Sequence, residues 1–451
     1  MQTRLLKNTT LLFLFFLIGS HSIAQKHKVY YPDGTIKEIG KHKNDLRSGK
    51  WRFYFENGLI SSTGKYQKGA KTGEWDYYHV SGTLLENGKY ENGNREGIWK
   101  TFYDNGHPYS EGSYVKGKES GDWKYFHRLG TIESAGQFVD GIQTGEWNYF
   151  YEDGQLKETG NWLENRNHGV WKFYYADGTI EKTGSWNLGM QDGFWTYYDK
   201  QGNSEERGEW KNGVQEGLWE YYYPSGNARE RGYWMKGEQT GEWMYYYENG
   251  MIEKKGEWNG LYNAGEWSYY YESGKINKVG ERANGHSIGK WTFYHENGNK
   301  KEIGFYDANG VEIGIWKIYH ENGMISSSGE WINGKQAGPW KYYDKEGTLI
   351  EAGNWIEGVQ QGIWFYYQQD GSIKTKGNWK NGVQAGEWTY YYESGAMQKS
   401  GTWNNGLQEG NWVYYYENGK KQQEGMFRDG TAVGEWKDYD IAGRYTTSRH
   451  Y

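Results

Sequence analysis

Four histidines, His79, His127, His295 and His320, fall at one slot of a recurring phrase, four residues after a tryptophan. Other copies of the phrase carry Tyr, Phe, Asp or Gln there. Imidazoles ligate metals and carry protons near neutral pH, and His295 and His320 belong to adjacent copies. A metal centre needs a third Asp, Glu or Cys at ligand spacing, and none accompanies the pair. A solvent-facing ring beside a turn is the plainer reading of a periodic His. The same slot holds Tyr223, Tyr247 and Tyr271 in three successive copies, followed by His295 and then His320. Stacked on neighbouring elements, these rings form a candidate ligand-contact strip for a glycan or an extended peptide, because aromatic faces bind sugars and partner side chains. The competing reading is structural: cross-unit ring pairs stabilise any such sheet, and on that ground it is preferred. No Ser-His-Asp arrangement or phosphate loop is recognisable, and acidic pairs such as Glu205-Glu206 fit a solvated face. The chain is therefore read as non-enzymatic, with no catalytic, cofactor or metal residues.

The elements that must position these rings are written in the repeat itself. Counting from an anchor tryptophan such as Trp243, aromatic residues follow at positions two and three (Tyr245, Tyr246) and a glycine at position seven (Gly250). An aliphatic residue stands at nine (Ile252), a glycine at thirteen (Gly256) and a further ring at fifteen (Trp258). Anchors run from Trp51 to Trp436 in steps of 24 residues, with one step of 25 ending at Trp316. A partial earlier copy covers Tyr30 to Gly34. A fixed period in this range means stacked supersecondary units that bury one another's faces. Asn-Gly and Asp-Gly pairs at the position-seven glycine, as in Asn57-Gly58, Asp153-Gly154, Asn249-Gly250 and Asn418-Gly419, predict a type I′ turn, so each unit reads as a β-hairpin. The anchor and position-fifteen slots hold all 26 tryptophans, which marks both as packing positions. The glycines fall where the backbone must turn or a neighbouring ring must lie flat on it. Trp243, Tyr246, Gly250 and Trp258 thus stand as structural anchors. The expected fold is all-β, an elongated single-sheet array of about 17 to 18 stacked hairpins.

Composition supports an ordered strand protein without a conventional aliphatic core. Across 451 residues there are 68 Gly, 4 Pro and 19% aromatics, so Trp and Tyr must supply the buried mass. Arg4 and Lys7 precede the apolar run Leu11 to Ile18, and Ser22-Ile23-Ala24 follows with small residues at cleavage-site spacing. Residues 1–24 are therefore expected to be a signal peptide, the run being too short to span a bilayer. No transmembrane segment is expected once it is removed, which places the mature chain in the periplasm or outside the cell. No cysteine is present, so there is no disulfide framework or thiol chemistry. The net charge of −6 is distributed with both signs interspersed, which disfavours nucleic acid as a partner. The expected organisation is a partial repeat over 25–50, a first repeat block over 51–280, irregular repeats over 281–315, and a second block with a terminal cap over 316–451. In the irregular stretch Arg282 stands where a ring is due and an extra residue lies near Asn309-Gly310. A hinge is the first reading of it and a binding notch the second.

The pattern W-x-Y-Y-x-[END]-[ND]-G followed by G-x-[WY], carried by Trp243 to Gly250 and by Gly256-Glu257-Trp258, resembles the MORN repeat. The likeness is to the variant found in bacterial proteins named the YwqK-type antitoxin family, and it spans about Tyr30 to Gly443. It implies rows of antiparallel hairpins used for binding or scaffolding, and the name implies neutralisation of a partner protein. The leading expectation is an exported non-enzymatic scaffold that binds a protein partner, with an antitoxin or immunity-like role as its finer form. The alternative is a carbohydrate or cell-wall binding repeat module.

Overall fold

The computed structural model describes residues 25–451, so the expected signal peptide over 1–24 lies outside the described residues. The described residues contain strands and turns and no helix. They fall into two compact units, one ending at Gly202 and one beginning at Asn203. In the first, strands from Gln25–Tyr30 to Gly193–Tyr198 pair antiparallel in chain order, with Met190–Gln191 and Gly193–Tyr198 both pairing with Ile180–Asn187. In the second the same meander runs from Ser204–Lys211 to Tyr445–His450.

Two kinds of turn connect the strands. After the strand Glu238–Tyr246, the Tyr247 N–H donates to Met251 O at 2.8 Å and the Gly250 N–H donates to Tyr247 O at 2.9 Å. Gly250 has φ +85°, but Asn249 is not left-handed. This is a three-residue loop closed by a left-handed glycine, not the two-residue type I′ turn that Asn-Gly predicts. The same holds at Asn57-Gly58, Asp153-Gly154 and Asn418-Gly419, where only the glycine has positive φ. Asn249 serves by hydrogen bonding: its Oδ1 accepts from Met251 N–H and its Nδ2 donates to Glu272 O in the next hairpin. The type I′ geometry sits at the opposite ends of the strands, where Lys236 and Gly237 have φ +54° and +81° between Met235 and Glu238.

The core is a row of indoles, each lying on glycine. Trp243 is 1% exposed and faces Gly232 across the ladder, where a Cβ would collide with Cδ2 of its ring. Toward the strand Ala228–Met235 the register passes from Gly232↔Trp243 to Tyr233↔Thr240, so Gly241 and Glu242 are extra residues in a bulge. The Trp243 indole N–H fills that gap by donating to Tyr233 O at 3.2 Å. Every anchor tryptophan makes the equivalent bond except Trp316, whose Nε1 has no partner among the described residues. Position-two rings join the indoles into a ladder: Trp243 to Tyr245 at 6.1 Å, and Tyr245 to Trp267 at 6.3 Å between centroids. Of the other anchors, Trp258 meets Trp267 edge-on and donates to the Tyr245 hydroxyl at 3.1 Å. Tyr246 alternates to the opposite face, half-buried, with its hydroxyl 3.3 Å from Met244 Sδ.

Through 281–315 the strands Ile276–Ala283, His286–Tyr294, Lys300–Tyr306 and Glu312–Tyr319 continue the antiparallel series. Arg282 takes the vacant ring slot and donates to the Tyr269 hydroxyl at 2.8 Å and to Gly285 O at 2.7 Å. The extra residue lies in the turn at 307–311, where Asp307 N–H donates to Val311 O and Gly310 N–H to Asp307 O. A three-residue loop there replaces the two-residue turn.

Two outcomes follow from this packing. Gly232→Ala drives a methyl into a fully buried indole, and overpacking of this kind costs about 1–3 kcal/mol; a lower urea midpoint than the parent chain measures it. Burial pushes the phenols of Tyr125, Tyr149, Tyr221, Tyr245 and Tyr366 up to about 12 from an ordinary 10.0. A phenol that ionises later in the folded chain contributes stability that is complete below pH 10 and is lost as pH rises toward 12. Denaturation midpoints should therefore hold up to about pH 10 and fall together with tyrosinate absorbance between about 10 and 12.

Candidate functional site

The position-four side chains stand where each long strand enters its three-residue loop. There the backbone is fixed by the loop's own hydrogen bonds, and the side chain reaches across to the next hairpin. Tyr223 OH donates to Tyr246 O at 2.8 Å, Tyr247 OH to Tyr270 O at 2.8 Å, and Tyr271 OH to Tyr294 O at 2.7 Å. His295 Nε2 meets Tyr319 O at 3.0 Å and His320 Nε2 meets Tyr343 O at 2.9 Å. All five are half-buried. The five side chains thus form a row on successive hairpins, and each polar tip is hydrogen-bonded to the main chain of its neighbour.

A carbonyl only accepts, so Nε2 of His295 and His320 must carry its proton. That removes Nε2 as a metal ligand, and the two rings point at different carbonyls rather than sharing one centre. No group of three His, Cys, Asp or Glu among the described residues is placed to hold a metal ion. The slot has the same use elsewhere: Tyr31 bonds Tyr54 O, His79 bonds Phe102 O, His127 bonds Phe150 O and Tyr416 bonds Tyr439 O. The sequence signal for this was the alternation of Tyr with His, since both present a ring-borne donor at similar reach.

Five hairpins depart from the rule: the Phe55 side chain has no donor, Asp199 and Asp440 accept from N–H groups of their own loops, and the other two departures are successive. Asp344 turns its carboxylate onto its own loop, where Oδ1 accepts from the N–H groups of Glu346 and Thr348. Gln368 donates to Tyr392 O at 2.7 Å, one residue beyond the carbonyl that a ring would meet. With a slim amide in place of a ring, a groove of about 640 Å³ opens beside Gln368, bounded by Tyr390, Tyr392, Lys374 and Gln398. Sequence reading did not single these residues out, although Gln at a slot otherwise filled mainly by rings was visible as a departure.

Comparison with known proteins agrees with the hairpin pattern. The family described as MORN repeat variant matches twelve segments, at residues 26–44, 95–116, 143–164, 167–187, 215–234, 239–259, 264–284, 288–308, 312–333, 360–381, 384–405 and 408–429, more than half of the chain. The chain belongs to the MORN repeat variant family. MORN repeats are often protein-binding modules. No curated protein matches the chain. Among solved structures, the crystal structure of TcdB2-TccC3-Cdc42 is 11% identical with a TM-score of 0.14, over 92% of this chain and 27% of that one. The crystal structure of TcdB2-TccC3 is 12% identical with a TM-score of 0.13, over 92% and 27%. The Photorhabdus luminescens Tc holotoxin pore carrying TccC3-D651A is 10% identical with a TM-score of 0.13, over 94% and 29%. This MORN repeat chain thus spans less than a third of the length of those chains, and TM-scores of this size carry no argument about fold or function.

The position-four bond has a measurable worth. Tyr247→Phe keeps the ring and deletes the donor to Tyr270 O, and should cost about 0.5–1.5 kcal/mol, read as a lower urea midpoint. The same change at Tyr246, whose hydroxyl reaches only a thioether, should leave the midpoint nearly unmoved.

Proposed function

We propose that the chain is an exported, non-enzymatic repeat scaffold that binds a protein partner, with an immunity-like role against a toxin as its finer form. The observation that carries this reading is a set of large apolar side chains left exposed on the face that the indole layer does not use, at the slot before the anchor tryptophan in several hairpins (Ile98, Val170, Phe194, Leu218, Ile315, Ile363). Leu218 and Tyr233 face each other across neighbouring strands and are 42% and 49% exposed. Val214 and Met235 of the same strands are exposed as well. The ring ladder does not need them, and exposed apolar patches rimmed by polar residues mark interaction surfaces. The repeat frame supports the reading, because each hairpin keeps its buried slots constant while its outward slots vary. Export rests on the charge, apolar and small-residue order of residues 1–24.

The test is a capture experiment with residues 25–451 as bait against envelope extract. One dominant protein is expected, retained by the parent chain and lost by a Leu218→Asp, Tyr233→Asp double variant with an unchanged urea midpoint. Equal capture by the variant, or no protein above the bead control, overturns the reading. Immunity requires in addition that the captured protein be toxic when expressed alone and silent when expressed with this chain.

A further inference from the structure

The groove beside Gln368 is built differently from the rest of the sheet surface. In most hairpins a position-four ring closes the gap between consecutive loops; here Asp344 and Gln368 leave two successive gaps, and Tyr392 supplies the next ring. The groove that results has about 640 Å³ of space, room for a small ligand. Its walls combine the rings of Tyr390 and Tyr392 with Gln398, Lys374, Asp370 and Glu393, and Ile350 is its one aliphatic member.

This composition selects among ligands. A peptide adding itself by strand pairing needs free main-chain groups, but the groups that close the two loops beside the groove are bonded to one another. Gln368 N–H donates to Ser372 O, Gly371 N–H to Gln368 O, Tyr392 N–H to Ala396 O and Gly395 N–H to Tyr392 O. An anion would meet two carboxylates, and the Asp370 carboxyl is held below the usual range by hydrogen bonds from the Ser372 hydroxyl and N–H. A cation would meet Lys374. What remains unengaged is side-chain donors and acceptors of both kinds next to aromatic faces: the side chains of Lys374 and Gln398 form no ion pair or hydrogen bond with another described residue. A ligand with hydroxyl groups around a ring that carries one apolar face matches that arrangement.

We propose that the groove between the loops at 368–372 and 392–396 binds a neutral saccharide, stacked on tyrosine and hydrogen-bonded by Gln398 and Lys374. The site is separate from the Leu218 and Tyr233 surface, so either can fail without the other.

Gln368→Tyr tests it, because the substitution restores the ring that other hairpins carry and closes the groove while fitting the repeat. Isothermal titration of residues 25–451 with hexasaccharides of β-1,4-linked N-acetylglucosamine, β-1,4-linked glucose and α-1,4-linked glucose is expected to show at least one binding with a single site per chain. Gln368→Tyr should abolish that binding with a thermal midpoint equal to or above the parent's, and Gln398→Ala should weaken it by about tenfold, the loss of one hydrogen bond made to a ligand in a desolvated site. Absence of binding by all three sugars, or equal affinity in Gln368→Tyr, overturns the proposal.

Discussion

An indole lying flat on a glycine is the contact on which the rest of this structure depends. The Trp243 ring occupies the space above Gly232 that any side chain would fill, so the sheet acquires a buried layer without a second sheet or a helix to cover it. The contact also explains the bulge at Gly241. The indole N–H cannot go unpaired at 1% exposure without a desolvation cost, and the bulge places the Tyr233 carbonyl where the indole meets it. Ring, glycine and bulge form one device, and a sheet assembled from copies of it needs few aliphatic residues. Position-two tyrosines then connect one device to the next through stacked and tilted rings.

Most of this was legible in the sequence because the device uses residue types that have few other uses at a fixed spacing. The Trp packing slots, the need for glycines where a ring lies flat and the hairpin at each position-seven glycine were readable from residue type and spacing; that the ring lies on the position-thirteen glycine was not. The turn assignment was not. Asn-Gly predicts positive φ at both residues, and the chain instead uses Asn249 as a hydrogen-bonding side chain and reserves the type I′ geometry for the Lys236-Gly237 end. Local propensity named the right residues and the wrong conformation, because the bond from Asn249 to Glu272 O belongs to the neighbouring hairpin and is invisible to a local reading.

The position-four strip shows the same boundary between what residue type and what geometry reveal. Tyr223, Tyr247, Tyr271, His295 and His320 share one slot of successive copies, yet the sequence does not say what their tips bond. Distances of 2.7–3.0 Å to successive carbonyls answer that. The row behaves as a set of cross-ties, each fixing the strand-to-loop junction of one hairpin to the strand end of the next. A slot under that constraint accepts Tyr or His and carries little freedom for recognition. Recognition has to come from slots the device leaves alone, such as those of Leu218 and Tyr233, or from hairpins where the tie is altered.

The frame tolerates alteration at its turns better than at its rings. At 307–311 an additional residue enlarges one turn while the flanking strands keep their antiparallel pairing, and the cost appears at the nearest ring, where the Trp316 N–H loses the carbonyl that every other anchor finds. At Gln368 the change runs the other way: the ring is lost, the amide reaches past its usual acceptor to Tyr392 O, and a cavity opens while Trp364 and Trp388 stay 0% and 3% exposed. A repeat whose stability lies in its indole and glycine layer can therefore give up a cross-tie without exposing that layer. Departures from the repeat at the loop ends are the places where such a chain acquires surface of its own shape, and departures at the anchor slots are the ones its packing does not allow.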